Sequence, residues 1–381
     1  MKKFRYIAIN LLILGIFVSN LRFLFNAKLN ETSAINEQFH GEAMVTIERS
    51  SGRILYSKNK DKILPMASTT KIITAIVAIE NCDDLDEKHF ITKEMTGVEG
   101  SSIYLKAGEK LSVRELLYGL MLRSGNDSAV AIAIIIGGSI DNFVKMMNEF
   151  CLNLGLLNTN IVTVNGLHNN NHYTTASDLA KITCYALSNN VFSEIVSTKE
   201  KVISSDLDKK NKCRLLKNKN KLLKTLDGAD GVKTGYTLKA GRCFVGSATR
   251  NGLQIICVVL NCRDMFEECT KFINKAFEEY SLICVQNKGE INNYENNLKT
   301  QNISKIIKKD IYLPLKTNEK DKLNFCYEIF DKPLSDGQIG FEYIMIENDL
   351  IFSEKIYTII DEKHSKNNSF KDSFDKIIRA F

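Results

Sequence analysis

Ser68 and Lys71 are the residues whose types and spacing most directly suggest chemistry. Ser68 opens a segment, residues 68–80, that is apolar almost all round and predicts a buried helix. Side chains three apart share one face of a helix, so these two can meet. A serine hydroxyl is a weak nucleophile that needs an adjacent base, and Lys71 can serve only in its neutral form. Burial beside a second cation would lower the pKa of Lys71 and favour that form.

Two further motifs follow along the chain, Ser124-Gly125-Asn126 and Lys233-Thr234-Gly235. Asn126 could donate to a substrate and hold the lysine base, and Ser124 could relay a proton to a departing amine. Lys233 would be the second cation, and with the Thr234 hydroxyl it suits an anionic substrate terminus. The N-terminus of the predicted helix would offer backbone N–H groups to a developing oxyanion. The ordered set of three matches that of the penicillin-recognising serine enzymes.

The elements that must position these motifs follow from hydrophobic periodicity and turn residues. They are, in chain order, strands 43–48 and 53–56, helices 68–80, 113–122, 126–136, 140–154 and 176–187, strands 231–236, 242–249 and 253–260, and a closing helix 265–280. Thr175 and Asp178 form a capping box before the helix at 176–187. This order predicts an α+β fold in which early and late strands share one antiparallel sheet beside a block of helices. In it, Gly235 lies on an edge strand and lets the backbone of a ligand come close.

The chain is long enough for two domains, and its character changes after Gln286. Alternating segments at 341–347 and 350–360 then predict extended structure. We therefore predict a catalytic domain over 40–285 and a small β-rich domain over 286–368.

Both ends of the chain suggest a membrane. A basic start, Met1 to Arg5, precedes an apolar stretch from Tyr6 to Val18, which is typical of a secretory signal. We predict a signal peptide or N-terminal membrane anchor over 1–34 and an exported protein, either secreted or on the extracytoplasmic face of the bacterial cytoplasmic membrane. Apolar side chains at helical spacing predict an amphipathic helix over 369–381, which could lie on a membrane surface or pack against the β domain.

Composition excludes several function classes. The 381 residues are 44% hydrophobic and 25% charged, which is typical of a folded globular protein. The net charge of +6 is scattered, and no zinc finger or RNA-binding motif accompanies it, so nucleic acid is not an expected partner. The ten cysteines form no C-x-x-C pair and have no histidine at zinc spacing, and we interpret most of them as small buried hydrophobes.

Two pairs of polar residues stand outside the motifs. His168 and His172 are four apart, but they lie in an Asn-rich loop with no helical pattern and no third ligand. We interpret them as part of a loop over the cleft or of the plain surface, and expect no metal. Arg242 and Arg263 flank the strands of the third motif and could contact a substrate carboxylate, although no motif assigns either.

The three motifs, together with the stretches 165–176 and 227–241, resemble the low-molecular-mass penicillin-binding proteins, which are serine-type D-alanyl-D-alanine carboxypeptidases. The resemblance covers about 40–285, and the remainder is similar to their C-terminal β domain in position and pattern only. It implies a penicillin-binding/β-lactamase-like transpeptidase fold, removal of the C-terminal D-alanine from peptidoglycan pentapeptides, and covalent inhibition by β-lactams, with no cofactor. The implied catalytic residues are Ser68 as the acylated nucleophile, Lys71 as its base, and Ser124. The implied substrate-binding residues are Asn126, Lys233, Thr234, Gly235 and Tyr236, with the backbone N–H groups of Ser68 and Tyr236 as the oxyanion hole.

Two other functions share the three motifs. A serine β-lactamase hydrolyses its acyl-enzyme with a glutamate that positions water. Glu149 fits the corresponding E-x-x-L-N pattern, but Phe143 and Met147 indicate an amphipathic helix with a core-facing stripe, so we interpret it as structural. A penicillin-sensing or scaffold protein that is acylated without turnover stays open, because deacylation depends on a placement of water that the sequence does not show.

Overall fold

The computed structural model describes residues 38–204, 213–291, 305–330, 333–334 and 336–358. The predicted signal segment 1–34 and the predicted helix 369–381 lie outside these residues. The described residues form two compact units. One takes them from Glu31–Leu282 and Pro314–Thr317, and the other from Ile283–Leu313 and Asn318–Phe381.

Strands, then helices, then strands again follow one another along the first unit. The helices of the described chain are α1 (Lys71–Glu80), α2 (Val113–Leu122), α3 (Asn126–Gly137), α4 (Ile140–Asn153), α5 (Ala176–Leu187), α6 (Asn190–Ser197), α7 (Leu222–Thr225) and α8 (Met265–Glu279). The strands are β1 (Gly41–Glu48), β2 (Ile54–Lys58), β3 (Lys88–Phe90), β4 (Lys110–Ser112), β5 (Glu200–Ser204), β6 (Cys213–Lys217), β7 (Ala229–Thr237), β8 (Gly241–Arg250), β9 (Leu253–Cys262), β10 (Ser281–Gln286), β11 (Gly289–Glu290), β12 (Lys305–Ile307), β13 (Ile311–Leu315), β14 (Leu323–Ile329), β15 (Gln338–Ile346) and β16 (Asp349–Thr358).

A five-stranded antiparallel sheet with strand order β2-β1-β9-β8-β7 forms the centre of the first unit. β1 pairs with β9, so early and late strands share one sheet, as predicted. Successive side chains of β1 point to opposite faces: Val45 packs with the helical block and Met44 packs with α8. The sheet is therefore covered on both faces, which requires strands that are apolar on both sides. The predicted α+β class is confirmed, and β7 lies at the sheet edge.

α1 lies inside the helical block. Eight of its ten residues are buried, which explains why its sequence is apolar almost all round. The predicted helix over 68–80 differs at its start, because Ala67–Thr70 forms a 3-10 turn and the α-helix begins at Lys71. Ser68 therefore lies in a tighter turn than predicted, at the head of α1.

The helix caps differ from the prediction. The Asp178 backbone N–H donates to the Thr175 hydroxyl at 3.0 Å. The Asp178 carboxylate, however, accepts from the Thr159 hydroxyl at 2.9 Å and not from the Thr175 backbone N–H, as a capping box requires. Only half of the predicted capping box forms at α5. A complete box begins α2, where Ser112 and Glu115 each accept a hydrogen bond from the other's backbone N–H.

The second unit contains a five-stranded antiparallel sheet with strand order β11-β12-β16-β15-β14. The alternating segments predicted at 341–347 and 350–360 correspond to β15 and β16, which pair with each other. Ile344 and Ile356 are fully buried in this unit. The C-terminal part of the chain is thus β-rich, as predicted.

The ten cysteines are free thiols, and their burial is mixed. Cys151, Cys243, Cys257, Cys262 and Cys269 are buried, Cys82 and Cys184 are half-buried, and Cys213, Cys284 and Cys326 are exposed. The interpretation of most cysteines as small buried hydrophobes therefore holds for five of the ten.

Among the described residues, no single helix has the length and hydropathy of a membrane span. α3 and α4 reach that criterion only as a pair, and they are bent by 85° at the break between them. Both helices contribute buried residues to the core of the first unit.

We expect Phe143→Ala to destabilise the protein strongly. Phe143 is fully buried on α4, whereas Leu152 on the same helix is 64% exposed. Removing a buried aromatic side chain costs about 3–5 kcal/mol. The control Leu152→Ala should change the free energy of unfolding by less than about 0.5 kcal/mol. Urea unfolding followed by circular dichroism measures both, and equal losses would contradict this assignment of the core face.

Candidate active site

Ser68 lies in the 3-10 turn Ala67–Thr70, immediately before α1. Threonines hold the turn: the Thr69 hydroxyl donates to the Met66 carbonyl at 2.6 Å, and the Thr70 hydroxyl donates to the Ala67 carbonyl at 2.7 Å. Ala67 has a φ of 49°, in the left-handed region that is costly for a residue with a Cβ. Strained backbone of this kind clusters at functional sites.

The Lys71 amine meets the Ser68 hydroxyl at 3.0 Å, as the spacing of the first motif predicts. Its other contacts are the Asn126 side-chain oxygen at 2.7 Å and the Asn165 backbone oxygen at 2.6 Å. Both of these oxygens only accept, so they take the two N–H groups of a neutral amine. The lone pair of the amine then faces the Ser68 hydroxyl. This arrangement suits proton transfer from Ser68 to Lys71.

Burial and neighbouring cations favour the neutral form of Lys71. Lys71 is fully buried, and burial lowers its pKa well below the ordinary value. The charges of Lys233 and Lys219 lower the pKa of Lys71 further, and the charge of Asp127 opposes them. Burial, followed by Lys219, also lowers the pKa of Lys233 to about 7. Lys219 is thus a third cation at the site that no sequence motif indicated.

The second motif lies between α2 and α3. Ser124 is 4% exposed, and its φ of 62° is again left-handed. Asn126 is the first residue of α3, and its backbone N–H donates to the Ser101 carbonyl at 2.6 Å. Its side-chain N–H donates to the Glu99 carbonyl at 2.6 Å, which turns the amide oxygen toward Lys71.

The loop that orients Asn126 is itself held by the buried Asp127 carboxylate. That carboxylate accepts from the backbone N–H groups of Ile103 at 3.1 Å and Leu105 at 3.0 Å. Gly100 has a φ of 90°, and a Cβ there would lie 2.7 Å from the Asn126 amide nitrogen. Only glycine fits this position. Asp127 was not among the predicted site residues, although it directly follows the second motif.

The third motif runs along β7, against the Ser68 turn. A Cβ at Gly235 would lie 3.0 Å from the Ser68 nitrogen. The backbone that packs against Gly235 in the structure thus includes the nucleophile turn, and the expected approach of a ligand at this glycine stays a prediction. Lys233 is 1% exposed and donates to the Thr234 carbonyl at 2.9 Å, while Tyr236 is 61% exposed.

Asp230 fixes the strand that carries the third motif. Its carboxylate accepts from the Ser247 hydroxyl, from the Thr249 hydroxyl at 2.5 Å and from the Gln254 amide at 2.9 Å. These partners lie on β8 and β9, so one carboxylate joins three strands beside Lys233. The sequence indicated Asp230 only as part of a stretch similar to a known family.

The two histidines, His168 and His172, differ in burial in the structure. His168 is exposed, but His172 is 3% exposed, so the surface interpretation is wrong for His172. Its Nε2 lies 2.7 Å from the Thr70 hydroxyl. In the part of the chain that the structure describes, no group of three or more His, Cys, Asp or Glu residues could hold a metal ion.

Arg242 and Arg263 lie beside the third motif. Arg242 is opposite Tyr236 in the register of β7 and β8, and its guanidinium donates to the Arg263 carbonyl at 3.2 Å. Both side chains are exposed. Both guanidinium groups therefore stay candidates for contact with an anionic ligand near Tyr236.

Sequence comparison finds relatives of the first unit. The family model described as D-alanyl-D-alanine carboxypeptidase matches residues 30–264. The D-alanyl-D-alanine carboxypeptidase DacF of Bacillus subtilis is 36% identical over 246 residues, covering 63% of this chain and 62% of that protein. A D-alanyl-D-alanine carboxypeptidase of a Streptomyces strain is 36% identical over 248 residues, covering 61% of this chain and 85% of that protein. The chain thus spans less than two thirds of the Bacillus relative.

Solved structures give a longer match. Penicillin binding protein 5 from Haemophilus influenzae is similar with a TM-score of 0.73 and 26% identity, over 86% of this chain and 98% of that chain. The D-alanyl-D-alanine carboxypeptidase DacD from Francisella tularensis is similar with a TM-score of 0.67 and 26% identity, over 87% of this chain and 95% of that chain. Both likenesses extend beyond the first unit.

We expect Lys219→Ala to move the acidic limb of the pH–rate profile for acylation to higher pH. The Lys219 charge disfavours the ammonium form of Lys71, so its removal raises the pKa of Lys71. A more alkaline solution is then needed to form the neutral base. Stopped-flow labelling with a fluorescent penicillin at low salt measures the profile.

Lys217→Ala is the matched control for this charge. Lys217 belongs to the same segment and is exposed like Lys219, but it pairs with Glu200 at 3.8 Å. Its profile should coincide with that of the wild type. A Lys219→Ala profile that also coincides would exclude Lys219 as a source of the shift.

Proposed function

The chain belongs to the family of D-alanyl-D-alanine carboxypeptidases, and we propose that it removes the C-terminal D-alanine from peptidoglycan pentapeptides through an acyl-enzyme on Ser68. The observation that carries the proposal is the contact between the buried Lys71 amine and the half-buried Ser68 hydroxyl, 3.0 Å apart. A serine with a neutral amine at this distance has the activated nucleophile that acyl transfer requires.

Acylation begins with attack of the Ser68 oxygen on the carbonyl carbon of the terminal peptide bond. Lys71 takes the hydroxyl proton as the new C–O bond forms. The backbone N–H groups of Ser68 and Tyr236 stabilise the negative charge that develops on the substrate oxygen. The C–N bond then breaks, and the departing D-alanine amine receives the proton from Lys71 through the Ser124 hydroxyl. Hydrolysis of the ester by water regenerates Ser68.

The C-terminal carboxylate distinguishes the substrate of a carboxypeptidase from an internal peptide. Lys233 and the Thr234 hydroxyl lie at the substrate side of β7 in this proposal, and Arg242 or Arg263 provides a guanidinium nearby. The pKa of Lys233 is lowered to about 7, so a bound carboxylate would favour its charged form. Binding of the carboxylate would thereby strengthen the attraction between the carboxylate and Lys233.

Peptidoglycan as substrate suits an exported protein. The basic and apolar pattern of residues 1–34 supports placement on the extracytoplasmic face of the membrane or secretion. The amphipathic pattern of 369–381 supports contact with a membrane surface. β-Lactam antibiotics would acylate Ser68 in place of the peptide and act as covalent inhibitors.

A serine β-lactamase is the alternative hydrolase, and Glu149 is the residue it would need. Glu149 is exposed on α4, whereas Phe143 and Met147 of the same helix are buried. An exposed carboxylate on the outer face of this helix does not suit the positioning of a catalytic water. A penicillin sensor without turnover is the second alternative. Release of D-alanine from a pentapeptide would exclude a sensor, and its absence would favour one.

We expect Ser68→Ala to abolish labelling of the full chain by a fluorescent penicillin. The same change should reduce D-alanine release from a pentapeptide by at least about a thousandfold, because the nucleophile is lost. Ser57→Ala is the control, since Ser57 and Lys60 have the same spacing but Ser57 lies in β2. Persistent labelling of Ser68→Ala would contradict the proposal, and labelling of the wild type without D-alanine release would favour a sensor.

We expect Glu149→Gln to leave deacylation unchanged. The exposed carboxylate has no part in the proposed chemistry, so the decay of the penicilloyl label should stay within about twofold of the wild type. Gel fluorescence over time measures the decay. A large loss of deacylation in this variant would favour the β-lactamase alternative.

A further inference from the structure

His172 is a buried imidazole behind the nucleophile turn that the proposed chemistry does not use. It is 3% exposed, and its Nε2 lies 2.7 Å from the Thr70 hydroxyl. Its Nδ1 accepts from the backbone N–H of Val162 at 3.0 Å and from that of Thr163 at 3.3 Å. Both ring nitrogens are therefore occupied by groups of the first unit.

These contacts fix the tautomer of His172. Because two N–H groups point at Nδ1, that nitrogen carries no proton, and the neutral ring carries its proton on Nε2. Nε2–H then donates to the Thr70 hydroxyl, and that hydroxyl donates to the Ala67 carbonyl at 2.7 Å. Hydrogen bonds are therefore donated in one direction, from His172 to Thr70 and from Thr70 to the Ala67 carbonyl in the Ser68 turn. The pKa of His172 is lowered to about 4, first by burial and then by His168 and Lys71, which keeps the ring neutral near pH 7.

The segment that His172 holds touches the catalytic pair. The Asn165 carbonyl accepts from the Lys71 amine at 2.6 Å, and its oxygen lies 3.4 Å from the Ser68 hydroxyl oxygen. Gly166 has a φ of 83°, and a Cβ there would lie 2.0 Å from the Ala67 oxygen. The segment 162–167 therefore crosses the Ser68 turn in direct contact, and a small displacement of it would move an acceptor of Lys71.

We propose that His172 is a positioning residue for acylation, which holds the segment 162–167 against the Ser68 turn so that the Asn165 carbonyl keeps Lys71 aligned with Ser68. His172 acts at both ends of this contact, since it accepts from the segment and donates to the turn. The Thr74 hydroxyl provides a second tie, because it donates to the Val164 carbonyl at 2.6 Å. The inference rests on the proposed acylation of Ser68.

Two substitutions of His172 and one control test the role. His172→Phe removes both ring nitrogens, whereas His172→Gln keeps an amide that can donate to Thr70 and accept a backbone N–H. His168→Ala is the control, because His168 lies in the same loop and is exposed. Stopped-flow labelling of the full chain with a fluorescent penicillin, at several concentrations, separates the binding constant from the acylation rate constant.

We expect His172→Phe to lower the acylation rate constant by about tenfold or more, with the binding constant within about twofold, because the catalytic pair is misaligned while the cleft persists. His172→Gln should recover most of the rate, and His168→Ala should match the wild type. Unchanged acylation in His172→Phe would overturn the proposal. Equal losses in the Phe and Gln variants, in step with a lowered melting temperature, would also overturn it and leave a structural role.

A variant of Thr70, the hydrogen-bond partner of His172, provides a second test in case His172→Phe does not fold. Thr70→Val removes the hydroxyl that His172 contacts, and it should lower the acylation rate constant in the same way, again with little change in binding. Normal acylation in Thr70→Val would overturn the proposal. Wild-type chain that is not labelled at Ser68 would instead contradict the proposed function, so the two failures are distinguishable.

Discussion

The site depends on one physical constraint: the Lys71 amine must be removed from water and still have partners for its N–H groups. The Asn126 amide oxygen at 2.7 Å and the Asn165 carbonyl at 2.6 Å accept its two N–H groups, and the Ser68 hydroxyl faces its lone pair at 3.0 Å. These come from three separate parts of the chain, so the helical block and the sheet must place each part to a fraction of an ångström. An amine buried without such acceptors would cost several kcal/mol, and an amine in water would stay protonated.

Satisfying this constraint places like charges close together. Lys71 and Lys233 are both buried, and Lys219 adds a third ammonium whose Nζ donates to the Ser101 hydroxyl at 3.0 Å. Such a cluster destabilises the native state, because burial and mutual repulsion both oppose the charged forms. The large core, which covers the sheet on both faces, has to offset that cost. The cluster of cations that the proposed chemistry needs therefore lowers the stability of the folded protein.

The sequence predicted the fold class, the shared sheet and the contact of Ser68 with Lys71, because these follow from periodicity and from side-chain types. It could not predict Asn165, whose contribution is a backbone oxygen that every residue possesses. It interpreted His172 as part of a loop over the cleft or of the plain surface, since a polar Asn-rich loop gives no sign that one imidazole is buried beneath it. Lys219 was missed because it belongs to no motif and lies among several other lysines. In each case the information lies in tertiary contacts between distant segments and not in residue types.

Gly235 has a structural role in addition to the one that its motif indicated. The sequence assigned this glycine to the approach of a ligand, and the structure adds the Ser68 backbone, whose nitrogen lies 3.0 Å from where a Cβ would stand. Gly166 contacts the turn too, with a Cβ position 2.0 Å from the Ala67 oxygen. The segment 162–167 and β7 thus each pack one glycine directly on the backbone of the nucleophile turn, and this close packing brings the carbonyl of Asn165 and the strand of Lys233 to Ser68. The glycines act through assembly of the site, and the catalytic geometry follows from that packing.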